Sequence, residues 1–191
     1  MRDLFLFDCF GVVVGEVIPA WLKDIAGENA AALKEEYLAP GDRGEKDIRQ
    51  IVKEFSQKFG LSADCIVEDW RSRVRINEEL CGIIRALGKD NAVALVSNAS
   101  EGYMQLLGIY NMLRSLFDKV FISGELKTAK PEPDIFRIAV SSFGEKFGRV
   151  FMTDDNPANF VNLAPLGITP VLFRGAGELR ERLYSCGVRL D

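Results

Sequence analysis

The distribution of apolar and polar residues along the chain predicts two kinds of segment. Five short segments rich in valine, isoleucine, phenylalanine and leucine have the length and composition of buried strands. The predicted strands are Asp3–Cys9, Ala92–Ser97, Lys119–Ser123, Arg149–Thr153 and Thr169–Phe173. From the second strand onward they alternate with helical patterns, which is typical of a parallel sheet covered by helices on both faces.

Between the first and second predicted strands the pattern is helical. Two apolar stripes at helical spacing mark this region: Ile48, Ile51, Val52, Phe55 and Phe59, and then Leu80, Ile83, Ile84 and Leu87. We expect a first helix to begin after Pro19, a break between helices at Pro40-Gly41, and a helix end at Gly88.

These patterns predict an α/β protein with a doubly wound parallel sheet and a small helical cap inserted after strand 1. Residues 1–14 and 89–191 would form the α/β core, and residues 15–88 the cap and the helix that returns to the sheet. Such an insertion emerges at the carboxyl edge of the sheet, where ligands bind in open α/β folds. The cap is therefore predicted to cover a binding site.

Composition narrows the possible functions. The 191 residues are 48% apolar and carry a formal charge of -4, so a nucleic acid or an anionic membrane is an unsuitable partner. The chain contains no histidine, which excludes Ser-His-Asp and Cys-His nucleophiles and histidine-ligated metals. A small molecule is the expected partner, and the sequence leaves open whether the protein is a monomer or a homodimer.

Two further features bear on location. The first apolar stretch is too short to span a bilayer, contains Asp8, and has neither a basic region nor a small-residue cleavage site. The four cysteines stand singly, without a CxxC pair, as is usual for reduced structural thiols. Both features favour a cytoplasmic protein.

Polar residues stand at the ends of the predicted strands, where the carboxyl edge of a parallel sheet would bring them together. They are Asp8, Ser97 and Asn98, Lys130 in the loop after strand three, and Asp154 and Asp155. Three crowded carboxylates repel one another unless a cation neutralises them, and Mg²⁺ prefers such oxygen ligands. Each residue alone could be a helix cap or a loop residue. Together they predict a magnesium and phosphate site.

The stretches that hold these residues resemble the motifs of a known superfamily. FDCFGVV, VSNAS, KPEPDIF and FMTDDNPANFVNLAPLGI are similar to the four motifs of the haloacid dehalogenase superfamily of aspartate-nucleophile phosphohydrolases. The resemblance implies a Rossmann-like core and a helical cap of subclass I, whose members act on small metabolites. It also implies site residues: Asp8 as nucleophile, Mg²⁺ held by Asp8, the backbone carbonyl of Phe10, Asp154 and Asp155, and phosphate held by Ser97, Asn98 and Lys130.

A shorter stretch bears on the substrate. GDRGEKD, residues 41–47, is similar to an RGE stretch in a branch that contains sugar-phosphate phosphatases, including glucose 1-phosphate phosphatases. This resemblance implies that Arg43 reaches the substrate. The alternative is that Asp42, Arg43 and Glu45 form only a charged helix start.

One residue departs from the family pattern. Where ordinary phosphatases of the family carry a second aspartate as general acid and base, this chain has Phe10, whose side chain transfers no proton. Loss of such a group typically costs about 10²- to 10⁴-fold in rate. A phosphatase for a good leaving group, such as an acyl or anomeric phosphate, remains the first hypothesis.

Three alternatives to that hypothesis stay open. The first is a haloacid dehalogenase, since those enzymes have an aromatic residue at this position but no need for the Asp154-Asp155 pair. The second is a phosphonate-cleaving enzyme with Lys23 or Lys34 as the Schiff-base lysine. The third is a catalytically silent binding or regulatory protein that retains the fold and the pocket.

Overall fold

The structure, a computed structural model, describes residues 1–190 and contains a parallel sheet at its centre. Within those residues the strands are β1 (Leu4–Phe7), β2 (Ala92–Ser97), β3 (Lys119–Ile122), β4 (Val150–Asp154) and β5 (Ile168–Leu172), in the order β3-β2-β1-β4-β5. Every adjacent pair is parallel. The predicted fold class, a doubly wound parallel α/β sheet, is confirmed.

Strand β1 lies at the centre because it is apolar on both faces and its side chains are fully buried. Phe7 pairs with Leu95 of β2 and with Thr153 of β4. These three strands therefore end at nearly the same level, which brings the residues that follow them to one edge of the sheet. The strand ends at Phe7, two residues before the predicted Cys9, because the amides of Val13 and Val14 turn back to the Cys9 carbonyl.

The helices surround the sheet and fill the segment between β1 and β2. They are α1 (Ile18–Ala26), α2 (Ala30–Leu33), α3 (Ala39–Asp42), α4 (Ile48–Phe59), α5 (Ala63–Ser72), α6 (Glu78–Leu87), α7 (Tyr103–Leu106), α8 (Tyr110–Leu116), α9 (Ser123–Leu126), α10 (Pro133–Ser141) and α11 (Ala176–Ser185). Short 3-10 turns lie at Gly27–Asn29, Pro157–Phe160 and Ala164–Leu166, with a π-helical turn at Lys34–Leu38. No helix in this described part of the chain is long and apolar enough to cross a membrane.

The helical segment between β1 and β2 has its own aromatic packing. Trp21 of α1 lies edge-on to Trp70 of α5, with 5.5 Å between ring centroids, and also contacts Phe55 of α4. Helix α4 begins at a capping box in which Asp47 accepts from the Gln50 amide and the Gln50 side chain accepts from the Asp47 amide. The buried residues of this segment are continuous with those on one face of the sheet, so the cap region packs directly on the core.

The predicted break at Pro40-Gly41 is wrong. Residues 30–42 form an unbroken helical run, from α2 through the π-helical turn to α3. Pro40 is accommodated at the start of α3, directly after the π-helical turn. The run ends instead at Asp42, where the chain turns through Gly44 at φ +74°. This displacement of the helix end determines where Asp42 lies.

Candidate active site

A cavity of about 530 Å³ lies between the helical segment and the carboxyl edge of the sheet. Asp8, Asn98, Lys130 and Asp155 line it from the core. From the opposite side it is lined by three charged residues, Glu16, Lys34 and Asp42, and by apolar side chains that include Ile18 and Leu38. The cavity thus lies where the insertion after strand 1 was expected to cover a site.

Asp8, Lys130 and Asp154 form a buried ion cluster at the core side of this cavity. The Lys130 ammonium nitrogen lies 2.7 Å from Asp8 Oδ1 and 2.6 Å from Asp154 Oδ2. Its side chain is 1% exposed and that of Asp154 is 0% exposed, so both charges depend on each other rather than on water. Asp8 Oδ1 also accepts a 2.7 Å hydrogen bond from the Cys9 amide.

Asp154 is fully occupied by donors. Its two oxygens accept from the Asn159 side-chain amide at 2.9 Å each, and Oδ1 accepts from the Asn156 amide at 2.9 Å. With Lys130 on Oδ2, each oxygen has two partners. Asp154 therefore holds the lysine in position. The sequence analysis missed Asn159, although it lies within the stretch DDNPAN that marked the fourth strand end.

Asn98 holds the backbone of the same lysine. Its side-chain oxygen accepts from the Lys130 amide and its side-chain nitrogen donates to the Lys130 carbonyl, both at 2.8 Å. This double hydrogen bond ties the loop after β3 to the end of β2. The adjacent Ser97 is fully buried, and its hydroxyl has no hydrogen-bond partner within residues 1–190.

Asp155 differs from Asp154 in exposure and in partners. It is exposed at the cavity and lies against the backbone of Gly11, which has φ +84°. A Cβ at Gly11 would stand 2.4 Å from Asp155 Oδ2, so only glycine allows this approach. Carboxylate oxygens of Asp8, Asp154 and Asp155 lie within 4.8 Å of one another. An all-oxygen donor set at this spacing fits a hard cation such as Mg²⁺.

The protonation of these groups follows from burial and charge. Burial raises the pKa of Asp8 to about 7, although the Lys130 charge lowers it. Burial lowers the pKa of Lys130, but Asp8 and Asp154 outweigh it and the net shift is upward, so the lysine is charged. Burial and the neighbouring Asp154 raise the pKa of Asp155. A divalent cation would relieve this accumulation of negative charge.

The structure does not bring Arg43 to the other predicted site residues. Its exposed guanidinium pairs with Glu45 at 2.7 Å, and it is not among the residues that line the cavity in the described part of the chain. Phe10 does line the cavity. Its ring stacks on Tyr103, with 5.0 Å between centroids and 29° between planes. An aromatic pair therefore forms one wall beside Asp8.

The cap side of the cavity carries charges that the motifs did not single out for catalysis. Glu16 and Lys34 are exposed, whereas Asp42 is half-buried at the end of α3. Burial raises the pKa of Asp42 to about 7 and also raises that of Glu16. The only sequence signal for Asp42 was its place beside Arg43 in GDRGEKD.

Known proteins resemble this chain in sequence and in fold. A family model described as haloacid dehalogenase-like hydrolase matches residues 2–160. Drimenol cyclase drtB of Aspergillus calidoustus is 32% identical over 71 residues. That match covers 37% of this chain and only 13% of the cyclase, so the chain corresponds to a small part of that relative.

Solved structures share the whole fold. The HAD family enzyme bt-2542 from Bacteroides thetaiotaomicron, in complex with magnesium and inorganic phosphate, has a TM-score of 0.76 at 23% identity, over 96% of this chain and 100% of its own. The L-2-haloacid dehalogenase from Xanthobacter autotrophicus has a TM-score of 0.65 at 15% identity, over 98% of this chain and 84% of its own. At these identities the likeness establishes the fold alone.

Proposed function

Because the chain belongs to the haloacid dehalogenase-like hydrolases, we propose that it is a magnesium-dependent phosphohydrolase acting on a small phosphorylated metabolite through an aspartyl-phosphate on Asp8. The observation that carries the proposal is the cluster of Asp8, Lys130, Asp154 and Asp155 at the floor of one cavity. A nucleophilic carboxylate, a buried cation and a cation-binding carboxylate pair are the parts that phosphoryl transfer requires.

Each residue has a role that its contacts support. Asp8 is the nucleophile because it lies at the end of the central strand with one carboxylate oxygen held by Lys130 and the Cys9 amide. Lys130 also stabilises the negative oxygens of the transferring phosphoryl group. Asn98 lines the cavity and positions Lys130, so it acts on phosphate both directly and through the lysine.

Mg²⁺ would be held by Asp8, the Phe10 carbonyl and the Asp154-Asp155 pair. Within that pair Asp155 would be the direct ligand, because each carboxylate oxygen of Asp154 already accepts from two donors. Bound there, it would neutralise the carboxylates and the phosphate charge. The HAD family enzyme bt-2542, which shares this fold, was solved in complex with magnesium and inorganic phosphate, and this supports a site for both. Ser97, whose buried hydroxyl has no partner within residues 1–190, would donate to the phosphate.

The substrate is a small phosphate ester, with sugar phosphates as the leading class. The cavity of about 530 Å³ accommodates a small metabolite. The resemblance of residues 41–47 to sugar-phosphate phosphatases supports this class and remains a prediction. Arg43 would have to leave its exposed pair with Glu45 to reach a substrate.

A dehalogenase is the second candidate, favoured by one observation. The aromatic ring of Phe10 lines the cavity beside Asp8, and an L-2-haloacid dehalogenase is among the proteins of the same fold. An aspartate nucleophile serves both reactions, because it can displace either a halide or a phosphoryl leaving group. The carboxylate pair favours the phosphatase.

The decisive experiment measures inorganic phosphate released from a panel of sugar phosphates, acyl phosphates and p-nitrophenyl phosphate, with Mg²⁺ and with a chelator. Asp8→Asn, which keeps the size of the side chain, is the matched control. We expect the substitution to lower release by about 10⁴-fold or more, as for other lost nucleophiles. Equal release by both proteins refutes the phosphatase, and halide release from 2-haloacids would support the dehalogenase.

A further inference from the structure

Two carboxyl groups of the cavity have no part in holding Lys130 or a cation. Glu16 and Asp42 line the cap side, and neither has a hydrogen-bond or ion-pair partner among residues 1–190. The reaction proposed above needs a proton donor for the leaving group and a base for water, and Phe10 supplies neither. An unpaired carboxyl in the same cavity can supply both.

The backbone on either side of Asp42 is fixed against its neighbours. A Cβ on Gly41 would stand 2.7 Å from Ile51 Cδ1 and 2.9 Å from Ser100 Cβ, and one on Gly44 would stand 2.5 Å from the Gly124 carbonyl oxygen. The segment therefore packs against α4 and against residues that follow β2 and β3 at the carboxyl edge of the sheet. A catalytic group needs a rigid support of this kind.

Asp42 is also in a suitable electrostatic setting. Burial raises its pKa to about 7; the charged groups that face it are Lys34 from the π-helical turn, Lys130 from the core, its neighbour Arg43 and Glu16 from the segment after β1. The three cations lower the pKa and Glu16 raises it, so burial dominates. A carboxyl that is partly protonated near neutral pH can donate a proton and then accept one.

We propose that Asp42 is the general acid and base of this enzyme, acting from the cap in place of the missing group at position 10; the proposal rests on the phosphatase function proposed above. A carboxylate oxygen of Asp8 forms a bond to phosphorus while the bond from phosphorus to the leaving oxygen breaks. The Asp42 carboxyl gives its proton to that oxygen, which departs as an alcohol.

The second half of the reaction uses the same group in reverse. Water attacks phosphorus of the aspartyl-phosphate while the Asp42 carboxylate removes a proton from the water. The bond from phosphorus to the Asp8 oxygen breaks, which releases phosphate and restores the Asp8 carboxylate. Asp42 is then protonated again, so one ester and one water yield one alcohol and one phosphate.

Glu16 is the competing carboxyl, and the structure favours Asp42. Glu16 is exposed, and the negative charge of Asp155 raises its pKa. Asp42 is half-buried, and the charge of Lys130 lowers its pKa. The Lys130 ammonium also contacts Asp8, the proposed nucleophile. Asp42 and the Asp8 nucleophile therefore line the same cavity, and the charge of Lys130 acts on both.

The test compares Asp42→Asn, Asp42→Glu and the control Glu45→Gln, an exposed carboxyl on the same segment but outside the set of cavity residues. Substrates are an alkyl phosphate, whose leaving oxygen needs a proton, and p-nitrophenyl phosphate, whose leaving group does not. For Asp42→Asn we expect kcat/KM on the alkyl ester to fall by about 10²- to 10⁴-fold, and much less on p-nitrophenyl phosphate.

Three further readouts separate catalysis from structure. At saturating Mg²⁺, which favours the ionised form of Asp8, the wild-type rate on the alkyl ester should fall as pH rises through about 7, where Asp42 loses its proton, and Asp42→Asn should lack this fall. Aspartyl-phosphate should accumulate in Asp42→Asn given p-nitrophenyl phosphate, visible by mass spectrometry. Asp42→Glu, or Phe10→Asp added to Asp42→Asn, should restore part of the alkyl-ester activity.

The outcomes distinguish this proposal from the function on which it rests. If wild type releases phosphate no faster than Asp8→Asn, the phosphatase function fails and this proposal with it. If wild type is active and Asp42→Asn loses nothing, or loses equally on both substrates without trapping an intermediate, the role of Asp42 is refuted while the phosphatase stands. Selective loss with Glu16→Gln instead would assign the acid to Glu16 and refute Asp42.

Discussion

The two walls of the cavity, the core wall with Asp8 and Asp154 and the cap wall with Asp42, differ in the partners of their carboxyl groups. On the core wall, Asp8 and Asp154 share the Lys130 ammonium, and Asp154 accepts three further hydrogen bonds. On the cap wall, Asp42 is half-buried with no hydrogen-bond or ion-pair partner in the chain as described. A cation in contact lowers the pKa of a buried carboxyl and burial raises it; burial prevails both at Asp8, which contacts Lys130, and at Asp42, which contacts no cation among residues 1–190, and each pKa rises to about 7. In the mechanism proposed above, the core wall stabilises charge and the cap wall transfers the proton.

Removing the Lys130 ammonium, which Asp8 and Asp154 share, should have the largest effect on the stability of the protein. Lys130→Met leaves Asp8 and Asp154 buried without a countercharge, which typically costs about 3–5 kcal/mol. We expect urea unfolding at pH 7 to show a loss of this size, smaller at pH 5 because Asp8 gains a proton. The exposed Lys53→Met on α4 is the control. A loss no larger than that of the control would show that Lys130 is not essential to the charge balance of the core wall.

Removing the carboxylate charge of Asp42 on the cap wall should stabilise the folded protein rather than destabilise it. The pKa of Asp42 is raised in the folded state, so the folded protein binds a proton that the unfolded chain has released between about pH 4 and 7. Wild type therefore loses stability as pH rises through this range, whereas Asp42→Asn does not.

We expect Asp42→Asn to be more stable than wild type by about 2 kcal/mol at pH 8, after allowance for solvent screening, and equally stable below pH 4. Thermal unfolding across this pH range measures the difference, and Glu45→Gln is the control. A variant that is less stable at pH 8 would show that the Asp42 carboxylate has an ionic partner.

The smallest expected effect on stability comes from substitutions that test the close approach of Gly11 to Asp155. Gly11→Ala and Gly60→Ala both force a side chain into positive φ, at +84° and +67°. Only at Gly11 does the new Cβ meet another group, Asp155 Oδ2, whereas Gly60 has no heavy atom within 4 Å. Each should lose about 1 kcal/mol of stability from the backbone.

Only Gly11→Ala should also weaken Mg²⁺ binding, by about 10- to 100-fold, because it displaces Asp155. Isothermal titration with Mg²⁺ compares the two variants directly. Equal Mg²⁺ affinity in both would indicate that Asp155 is not a direct ligand.

Much of the fold could be read from the chain because the sheet is parallel and fully covered. Its strands are continuous apolar runs, and the predicted bounds of β2 agree with the structure. The end of β1 and the break at Pro40 could not be read in this way, since both depend on backbone turns. Hydrogen bonds to the Cys9 carbonyl set the first, and the π-helical turn before α3 sets the second.

The sequence by itself determined which groups stand at the carboxyl edge of the sheet. Asp8, Lys130 and Asp154 each follow a buried strand or its loop, and parallel pairing brings strand ends together whatever the side chains are. What it could not determine was the partners of each group. That Asp154 saturates its oxygens depends on how the turn after β4 directs the Asn159 amide, and the exposed position of Asp155 depends on Gly11, which is distant in sequence.

Only the tertiary structure decided the composition of the cap wall. Whether Arg43 or Asp42 faces the cavity depends on where α3 ends and on the close approach of Gly41 to Ser100. Adjacent residues at a helix end point in different directions, so the motif alone could not choose between them. Packing of the cap against the core left Arg43 in solvent and put Asp42 in the cavity, because burial is a property of the assembled surfaces.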